Sequence, residues 1–515
     1  MKRPHLVSQG TLNRIFQAAE LAWTNRDFQQ AIELLERASK MSPASTSILL
    51  DLGGAYGRRF RYSDAQECFE KALRLSIRKT DLLFAIGAKC RDFASPELAE
   101  HYWKRAVEQV DVSPIALVKL AELYERIRRI PDSEALIEKA LCLSPGFPPA
   151  LLIRARLLRH SGQIEQAEKL LRSFIAQADR ETKIRSWYEL GAVLDRQSRY
   201  DEAMSAFVEA KFLLKADAPP HTHARRVMRS RLKALQENLT PEILQNWANF
   251  APNLSPPRRI GLLCGHPRSG TTLLEQVLDS HSEVISLEET EIFHDEAYMP
   301  LARNFPNDAP IFSCLESALP AVLNQSRENY FQVAEQFLGK TIEGRLLIDK
   351  NPSLTFLISH FLRIFPEVKL IVAVRDPRDV CLSCFMQPFF PIGQVNSAYL
   401  TIEDTVEEYI ALMGMWKTIS LMIPNRFLEI RYEDMIENFE PLCRKVLNHL
   451  NIPWEAKVLR FDKHAQTKAV RSPTYADVTK PIFRNSIRRW RSYEKYLRPY
   501  FPKLTPFVDA FAYES

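Results

Sequence analysis

The sequence predicts a molecule in two parts, an all-α array of helical repeats followed by an α/β domain built on a parallel sheet. Between residues 11 and 214, small and large apolar residues recur with a period of 34. In the second half, short apolar runs typical of buried strands each end in polar or charged residues. One of these runs leads into a glycine-bounded loop and a helix start, as in phosphate-binding α/β domains. A chain of 515 residues is long enough for two or more such domains.

The repeats show the period in several phases at once. The positions are Ala31, Ala65 and Ala99; Ala38, Ala72, Ala106 and Ala140; Ala19, Gly53, Gly87, Ala121 and Ala155; and the large Leu35, Phe69, Trp103 and Leu171, with a sixth unit, shifted by two residues, at Gly191, Ala203, Phe207 and Ala210. This pattern resembles the tetratricopeptide repeat and implies about six helix pairs stacked into a superhelix with a concave groove. The groove either holds a protein or peptide, or the array is a scaffold that packs on the second domain or forms a homodimer.

Residues 215–257 are predicted to be a helical linker. Pro219 and Pro220 break the repeat pattern, and a helix is expected over residues 225–237. Thr240 followed by Pro241 is the signature of a second helix start. The basic run Arg225, Arg226, Arg229 and Arg231 is expected to be a solvated helix face.

The organising motif of the second half, residues 258–515, is GHPRSGTT at 265–272, which follows the apolar run 260–264. Loop and helix N–H groups there would converge on one anion. The spacing is close to the Walker A loop, GxxxxGK[ST], but Thr271 stands in place of the lysine and Arg268 brings the positive charge. The loop is therefore predicted to bind a phosphorylated ligand that is not hydrolysed as ATP.

Four further strands are expected at residues 284–287, 346–348, 370–374 and 427–430. Their carboxyl ends lie on the ligand side of a parallel sheet, so the residues that follow them are site candidates. A general base belongs in Glu288-Glu289-Thr290-Glu291, where Glu288 and Glu291 are expected to be a solvated acidic turn. Arg375, with the hydroxyl of Ser383 eight residues on, makes a second phosphate site.

These blocks together resemble the sulfotransferases that use 3′-phosphoadenylyl sulfate (PAPS), and most of all the tyrosylprotein branch. The likeness covers residues 258–500 and rests on PRSGTT, Glu288-Glu289-Thr290, Asp349-Lys350-Asn351-Pro352, VRDPRD with Ser383, and RYED. It implies that the 5′-phosphosulfate is held by Arg268, Ser269, Gly270, Thr271 and Thr272. It implies also that Arg375 and Ser383 hold the 3′-phosphate, Glu289 is the catalytic base, and Arg268 and Lys350 stabilise the transition state.

The resemblance adds three donor contacts nearer the carboxyl terminus. Tyr432 matches a residue beside the nucleotide, and Ser472 and Lys480 match a segment that closes over the donor. Two positions depart from the tyrosylprotein branch, since Glu291 and Gln387 replace arginines. Glu291 would repel acidic peptides, so the acceptor hydroxyl is left open among protein tyrosine, carbohydrate and small molecules.

Composition and the remaining motifs bear on nucleic-acid binding, cellular location and the need for a metal. A net charge of +6 and the basic end of the chain, from Arg484 to Arg498, do not by themselves predict nucleic-acid binding. That end is expected to be a helix that packs Trp490 and Tyr493 and lends arginines to the donor site. The eight cysteines form no disulfide framework, and no apolar run predicts a signal peptide or membrane span, so a cytoplasmic location is expected. The transfer requires no metal, and none is expected.

Two alternatives remain at this stage. One is a P-loop kinase or NTPase, supported by Leu346-Leu347-Ile348-Asp349, which mimics a Walker B strand. The other is a protein-binding module in which the repeats are functional and the nucleotide domain is inactive. As rival bases to Glu289, the histidines 266, 281 and 294 are expected to be structural, His294 being the strongest of the three.

Overall fold

The computed structural model describes residues 9–514 except 94, 304, 307, 389–392, 394 and 466–485. Two compact units divide the chain: Met1–Gln177 with Val333–Lys340, and Ala178–Gln332 with Thr341–Ser515. The predicted domain boundaries after residues 214 and 257 stay a prediction. The sixth predicted repeat, which contains Gly191 and Ala210, belongs to the second unit, as does the sheet.

The first unit is built from consecutive helix pairs. The helices are α1 Gln9–Thr24, α2 Phe28–Met41, α3 Thr46–Arg58, α4 Tyr62–Leu75, α5 Lys79–Asp92, α6 Pro96–Val107, α7 Pro114–Arg126, α8 Ile130–Leu143, α9 Pro148–His160 and α10 Ile164–Phe174. The small residues of the repeat face large ones sixteen positions later. A Cβ added to Gly53 would lie 2.4 Å from Phe69, and one added to Gly87 would lie 2.4 Å from Trp103. Glycine is required there because the ring occupies the space of a side chain.

Four helices open the second unit: α11 Arg180–Arg196, α12 Tyr200–Leu214, α13 Pro219–Asn238 and α14 Pro241–Asn249. The predicted helix start at Thr240 is confirmed, since its hydroxyl accepts the Ile243 N–H at 3.3 Å. The prediction of a solvated basic face on α13 holds for the exposed Arg226 and is wrong for Arg225 and Arg229. Arg225 and Arg229 both pair with Glu408, a buried carboxylate that requires cationic partners.

The predicted parallel sheet is confirmed, with five strands in the order β2-β3-β1-β4-β5. The strands are β1 Ile260–Gly265, β2 Val284–Glu288, β3 Leu346–Lys350, β4 Lys369–Val374 and β5 Phe427–Arg431. The accompanying helices are α15 Thr271–Asp279, α16 Met299–Ala302, α17 Ile311–Glu316, α18 Pro320–Leu338, α19 Ile358–Ile364, α20 Pro377–Phe385, α21 Ile402–Met422, α22 Tyr432–Glu437, α23 Phe439–His449, α24 Phe461–Ala465, α25 Glu494–Leu497 and α26 Phe501–Ala510. Shorter turns include a π-helix at Phe293–Tyr298 and 3₁₀ helices at Pro352–Leu357 and Arg489–Tyr493.

Strand register brings the predicted site residues to one edge of the sheet. Lys350 pairs with Leu263 on one side and with Glu288 on the other. Gly265 pairs with Ala373, and Val374 pairs with Arg431. The loop after β1, the carboxylates after β2, Lys350, Arg375 and Tyr432 therefore all lie at the carboxyl ends of the strands, where α/β sheets place their ligands.

None of the helices in the described part of the chain has both the length and the run of apolar residues that crossing a bilayer requires.

Candidate functional site

Two glycines shape the loop between β1 and α15. Gly265 has a φ of +136°, and a Cβ there would lie 2.2 Å from the carbonyl oxygen of Ala373. Gly270 has a φ of +91° at the N-cap of α15, where a Cβ would lie 2.5 Å from the Tyr432 ring. Only glycine satisfies both the backbone conformation and the lack of space. The loop is thereby held against the neighbouring strand ends.

The loop presents the groups expected of an anion site. Ser269, Thr271 and Thr272 are buried hydroxyl residues at the start of α15, a nine-residue helix whose first N–H groups face this loop. Thr355 fastens the base of the loop, because its hydroxyl accepts the Gly265 N–H at 2.8 Å and donates to the Gly265 carbonyl at 2.7 Å. Sequence reasoning missed Thr355, since a threonine in a short 3₁₀ turn carries no motif.

Arg268 connects the two predicted phosphate sites. Its Nε donates to the Ser383 hydroxyl on α20 at 2.9 Å, and its own carbonyl accepts from Arg375 at 3.0 Å. The backbone of Arg268 is left-handed, with a φ of +74°, which a non-glycine residue adopts at a cost. Residues assigned to the 5′ and 3′ ends of the donor are therefore in direct contact.

Arg375 is a buried cation at the end of β4. Its guanidinium lies 4.8 Å above the ring of Tyr432, and a second nitrogen donates to the carbonyl of Ser486. Among the described residues its Nε has no hydrogen-bond partner. A buried donor without a partner is costly in a folded protein, so a ligand anion at this nitrogen is chemically favoured.

Glu289 and Lys350 form the predicted catalytic pair. Lys350 Nζ donates to Glu289 Oε1 at 2.9 Å, and the Glu289 N–H donates to the Lys350 carbonyl at 2.8 Å. Burial alone would lower the pKa of Lys350, but the carboxylates of Glu289, Glu288 and Glu275 outweigh it and raise the pKa. Lys350 is fully buried, whereas the Glu289 side chain is 35% exposed, so only the carboxylate is open to an acceptor.

The acidic turn after β2 differs from the prediction at one position. Glu288 is buried and its Oε1 lies 3.6 Å from Lys350 Nζ, so the expectation that it is solvated is wrong. Glu288 of β2 is in register with Lys350 of β3, so the two side chains point to the same face of the sheet. Glu291 is exposed, as expected.

Asp349, the residue that mimics a Walker B aspartate, faces the interior. The Tyr330 hydroxyl donates to its Oδ2 at 2.8 Å, and burial raises the pKa of Asp349 to about 7 although Tyr330 and Lys350 oppose the rise. A magnesium ligand needs an ionised, accessible carboxylate. This buried side chain does not fit that role.

The histidines that rival Glu289 have structural contacts. His266 is fully buried, its Nδ1 lies 2.9 Å from the Pro267 carbonyl, and burial lowers its pKa to about 4. His281 bonds the Pro453 carbonyl at 2.8 Å. His294 lies on the π-helical turn, with its Nδ1 2.9 Å from Asp295. The side-chain nitrogen and oxygen atoms of Glu291, His294 and Asp295 that can bind a metal ion lie within 4.8 Å of one another.

Helix α20 and the segment that returns to it complete the site. Asp376 and Arg378 form a local ion pair at the helix start, with contacts of 2.8 and 2.9 Å. Trp490 and Tyr493 are buried as predicted, but Arg488 pairs with Glu514 and Arg489 with Asp195. The expectation that one or two arginines of this segment reach the donor site stays a prediction. Ser472 and Lys480 lie outside the described residues.

Fold and site together define an α/β domain of the P-loop-like kind, with a loop suited to phosphate groups and a carboxylate–lysine pair on the same sheet edge. Residues 262–456 match the model of the sulfotransferase family, and residues 16–79 and 152–218 match a tetratricopeptide-repeat model. The chain thus carries a sulfotransferase-family domain and tetratricopeptide repeats, as the sequence predicted. These matches do not favour a kinase or a binding module.

Several known proteins are similar to this chain. An uncharacterized protein of Aquifex aeolicus is 28% identical over 346 residues, covering 65% of this chain and 43% of that protein. Protein-tyrosine sulfotransferase 1 of Danio rerio is 25% identical, covering 44% of this chain and 64% of the relative. The omega-hydroxy-beta-dihydromenaquinone-9 sulfotransferase of Mycobacterium bovis is 29% identical, covering 30% and 41%. The chain spans only about half the length of these relatives.

Proposed function

We propose that this protein is a sulfotransferase that moves a sulfuryl group from PAPS to an acceptor hydroxyl. One observation carries the proposal: Arg268 bonds Ser383 through its side chain and Arg375 through its carbonyl. A single loop residue thus joins the two anion sites that a donor with phosphate groups at both ends of its ribose requires. The sulfotransferase-family match over the same residues supports it.

The residues present fit the donor. The α15 start and the buried hydroxyls of Ser269, Thr271 and Thr272 suit the 5′-phosphosulfate. Arg375, whose Nε has no hydrogen-bond partner in the described part of the chain, and Ser383 suit the 3′-phosphate. Bound at these positions, the donor supplies a sulfuryl group whose leaving oxygen belongs to a phosphate.

The Glu289–Lys350 pair supplies the groups that the transfer needs. The acceptor oxygen forms a bond to sulfur while the bond from sulfur to the bridging phosphate oxygen breaks, and its electron pair leaves with adenosine 3′,5′-bisphosphate. Glu289 accepts the acceptor's proton as general base. Lys350 remains an ammonium, because the surrounding carboxylates raise its pKa, and with Arg268 it stabilises the charge that develops on the departing oxygen.

For the acceptor we propose a protein tyrosine without acidic neighbours. Tetratricopeptide repeats commonly hold peptides, and a protein-tyrosine sulfotransferase is among the relatives. Glu291, two residues after the proposed base, is exposed, and its negative charge repels acidic residues that flank an acceptor tyrosine. Another relative is named for a hydroxylated menaquinone, so small hydroxyl compounds form the comparison set.

The first test is calorimetric titration with adenosine 3′,5′-bisphosphate and, separately, with ADP, both without magnesium. Binding of the bisphosphate and not of ADP is expected, because only the former carries the 3′-phosphate. A preference for ADP, or binding that needs magnesium, contradicts the proposal.

The second test measures release of the bisphosphate from PAPS with neutral tyrosine peptides, acidic tyrosine peptides and hydroxylated small molecules. Neutral peptides are expected to turn over fastest. Glu291→Arg is the matched variant and is expected to shift the preference towards acidic peptides. Turnover only with small molecules overturns the tyrosine part of the proposal and leaves the donor part standing.

A further inference from the structure

Asp379, on the first turn of α20, binds a distant part of the chain. Its side chain is 1% exposed, and each of its oxygens accepts a backbone N–H at 2.8 Å, one from Arg488 and one from Trp490. Arg488 has a left-handed backbone with a φ of +58°, so these two N–H groups converge on one carboxylate. Asp379 is the last residue of the VRDPRD motif, and sequence reasoning assigned it no role.

The same carboxylate lies beside the cation of the proposed 3′-phosphate subsite. An Arg375 terminal nitrogen is 3.7 Å from Asp379 Oδ2, and that nitrogen also donates to the carbonyl of Ser486. Ser486 lies two residues before the first N–H that Asp379 binds. Asp379 therefore fixes the short segment from which Arg375 takes one of its hydrogen-bond acceptors.

The Arg375 guanidinium is consequently held on three sides. The Arg268 carbonyl, the Ser486 carbonyl and the Tyr432 ring each contact it, and its Nε is left without a partner among the described residues. A guanidinium fixed in this way loses little side-chain entropy when it binds an anion.

We propose that Asp379 is a positioning residue for recognition of the donor's 3′-phosphate, acting through the Ser486–Trp490 segment and Arg375. The inference rests on the proposed function, since it concerns the same donor. Two opposite effects follow from removing the charge of Asp379. A less compensated Arg375 attracts anions more strongly, whereas a released segment leaves the guanidinium less ordered. Orientation is expected to dominate, because Asp379→Asn keeps one oxygen that accepts only an uncharged hydrogen bond and turns the other into an NH2 donor facing an N–H. The charge that is removed lies at 3.7 Å from the Arg375 nitrogen, beyond hydrogen-bond distance.

The test compares two nucleotides that differ only in the 3′-phosphate, adenosine 3′,5′-bisphosphate and AMP, in the full chain at pH 7.5. In Asp379→Asn the dissociation constant of the bisphosphate is expected to rise about tenfold, equivalent to about 1.4 kcal/mol. The constant for AMP is expected to change less than about twofold, because AMP does not use Arg375. A merely structural role would weaken both nucleotides alike.

Asp376→Asn is the matched control. It removes another buried carboxylate of the same helix start, one that pairs with Arg378 and not with Arg375. It is expected to lower the melting temperature and to leave the ratio of the two dissociation constants unchanged. In an Arg375→Lys background, Asp379→Asn is expected to leave the ratio unchanged too.

The outcomes separate this inference from the proposed function. If the wild type fails to prefer the bisphosphate over AMP, both are overturned. If the wild type shows the preference and Asp379→Asn keeps or increases it, only the role of Asp379 is overturned. Should Asp379→Asn not fold, Asp379→Glu retains the charge but displaces the two oxygens; a selective loss of bisphosphate affinity supports the inference, and an unchanged ratio overturns it.

Discussion

At the scale of single residues, the environment of Lys350 decides the chemistry of the site. A lysine with no exposed surface would ordinarily tend to lose its proton. Glu289 at 2.9 Å and Glu288 at 3.6 Å reverse that tendency. Lys350 is therefore a cation at neutral pH, and Glu289 is the member of the pair that we propose as proton acceptor.

Glu289→Gln removes the proton acceptor while keeping the size of the side chain. We expect kcat to fall about 10²- to 10⁴-fold, since that is the usual contribution of a positioned base. Bisphosphate affinity should stay within about twofold, because the donor is held elsewhere. Rates are measured as bisphosphate release with the best acceptor, and affinities by calorimetry.

Glu288→Gln is the comparison for this experiment, because it removes the other carboxylate near Lys350 and leaves the base in place. We expect a smaller loss of kcat than in Glu289→Gln. Equal losses in the two variants would contradict the assignment of Glu289 as the base.

Asp349 gives a pH-dependent prediction. Its pKa is about 7 in the folded chain and near 4 when unfolded. Between these two pH values the folded state keeps a proton that the unfolded state has released. The contribution of Asp349 to the free energy of unfolding therefore falls as the pH rises from 4 to 7 and is constant above pH 7. Asp349→Asn lacks this titration. The stability of the wild type relative to the variant should therefore fall by at most about 4 kcal/mol between pH 4 and pH 8.

Chemical denaturation of the two proteins at a series of pH values measures this difference. A difference that does not vary with pH contradicts the assignment. Donor binding without magnesium should be retained in Asp349→Asn, because the carboxylate contacts Tyr330 and not the loop.

At the scale of elements, the turn from β1 into the loop is the most constrained point of the sheet. In Gly265→Ala the new methyl group would meet the Ala373 carbonyl at 2.2 Å, on a backbone with positive φ. We expect a loss of unfolding free energy above about 3 kcal/mol, measured by chemical denaturation. Gly146→Ala is the control, since a Cβ there meets nothing within 4 Å and should change stability by less than about 0.5 kcal/mol. Similar midpoints for both variants would contradict this interpretation.

The elements were predictable from sequence because their signals are local. All five strands, the α15 start and the repeat positions such as Gly53 and Phe69 follow from periodicity and turn residues. The contacts of Glu288, Asp379 and the arginines of α13 were not predictable. Each depends on a partner far along the chain, such as Glu408 for Arg225, and pairing across such distances leaves no periodic signal.

At the scale of the whole molecule, the helices between residues 178 and 257 stabilise the unit that contains the sheet. Glu408 is 1% exposed, and its cationic partners Arg225 and Arg229 both lie on α13. A fragment of residues 258–515 removes both cationic partners of that carboxylate, and breaking a buried ion pair by removing one side costs about 3–5 kcal/mol. A fragment of residues 178–515 should unfold at a clearly higher denaturant concentration than this shorter one, as followed by circular dichroism.

Variants of the full chain isolate the cause. Arg225→Gln with Arg229→Gln should lose stability, and adding Glu408→Gln should restore part of it, because the buried charge is then gone. Equal midpoints for the two fragments, or no recovery in the triple variant, would contradict this account.

The left-handed backbones of Arg268 and Glu289 have a consequence for evolution in the laboratory. With φ values of +74° and +51°, both residues adopt a conformation that glycine adopts without strain. Arg268→Gly should raise the melting temperature while removing a group proposed for catalysis, whereas Glu289→Gly would also leave the buried Lys350 without its nearest carboxylate. A library selected for heat resistance alone should therefore enrich glycine at position 268 and yield more stable proteins with little activity.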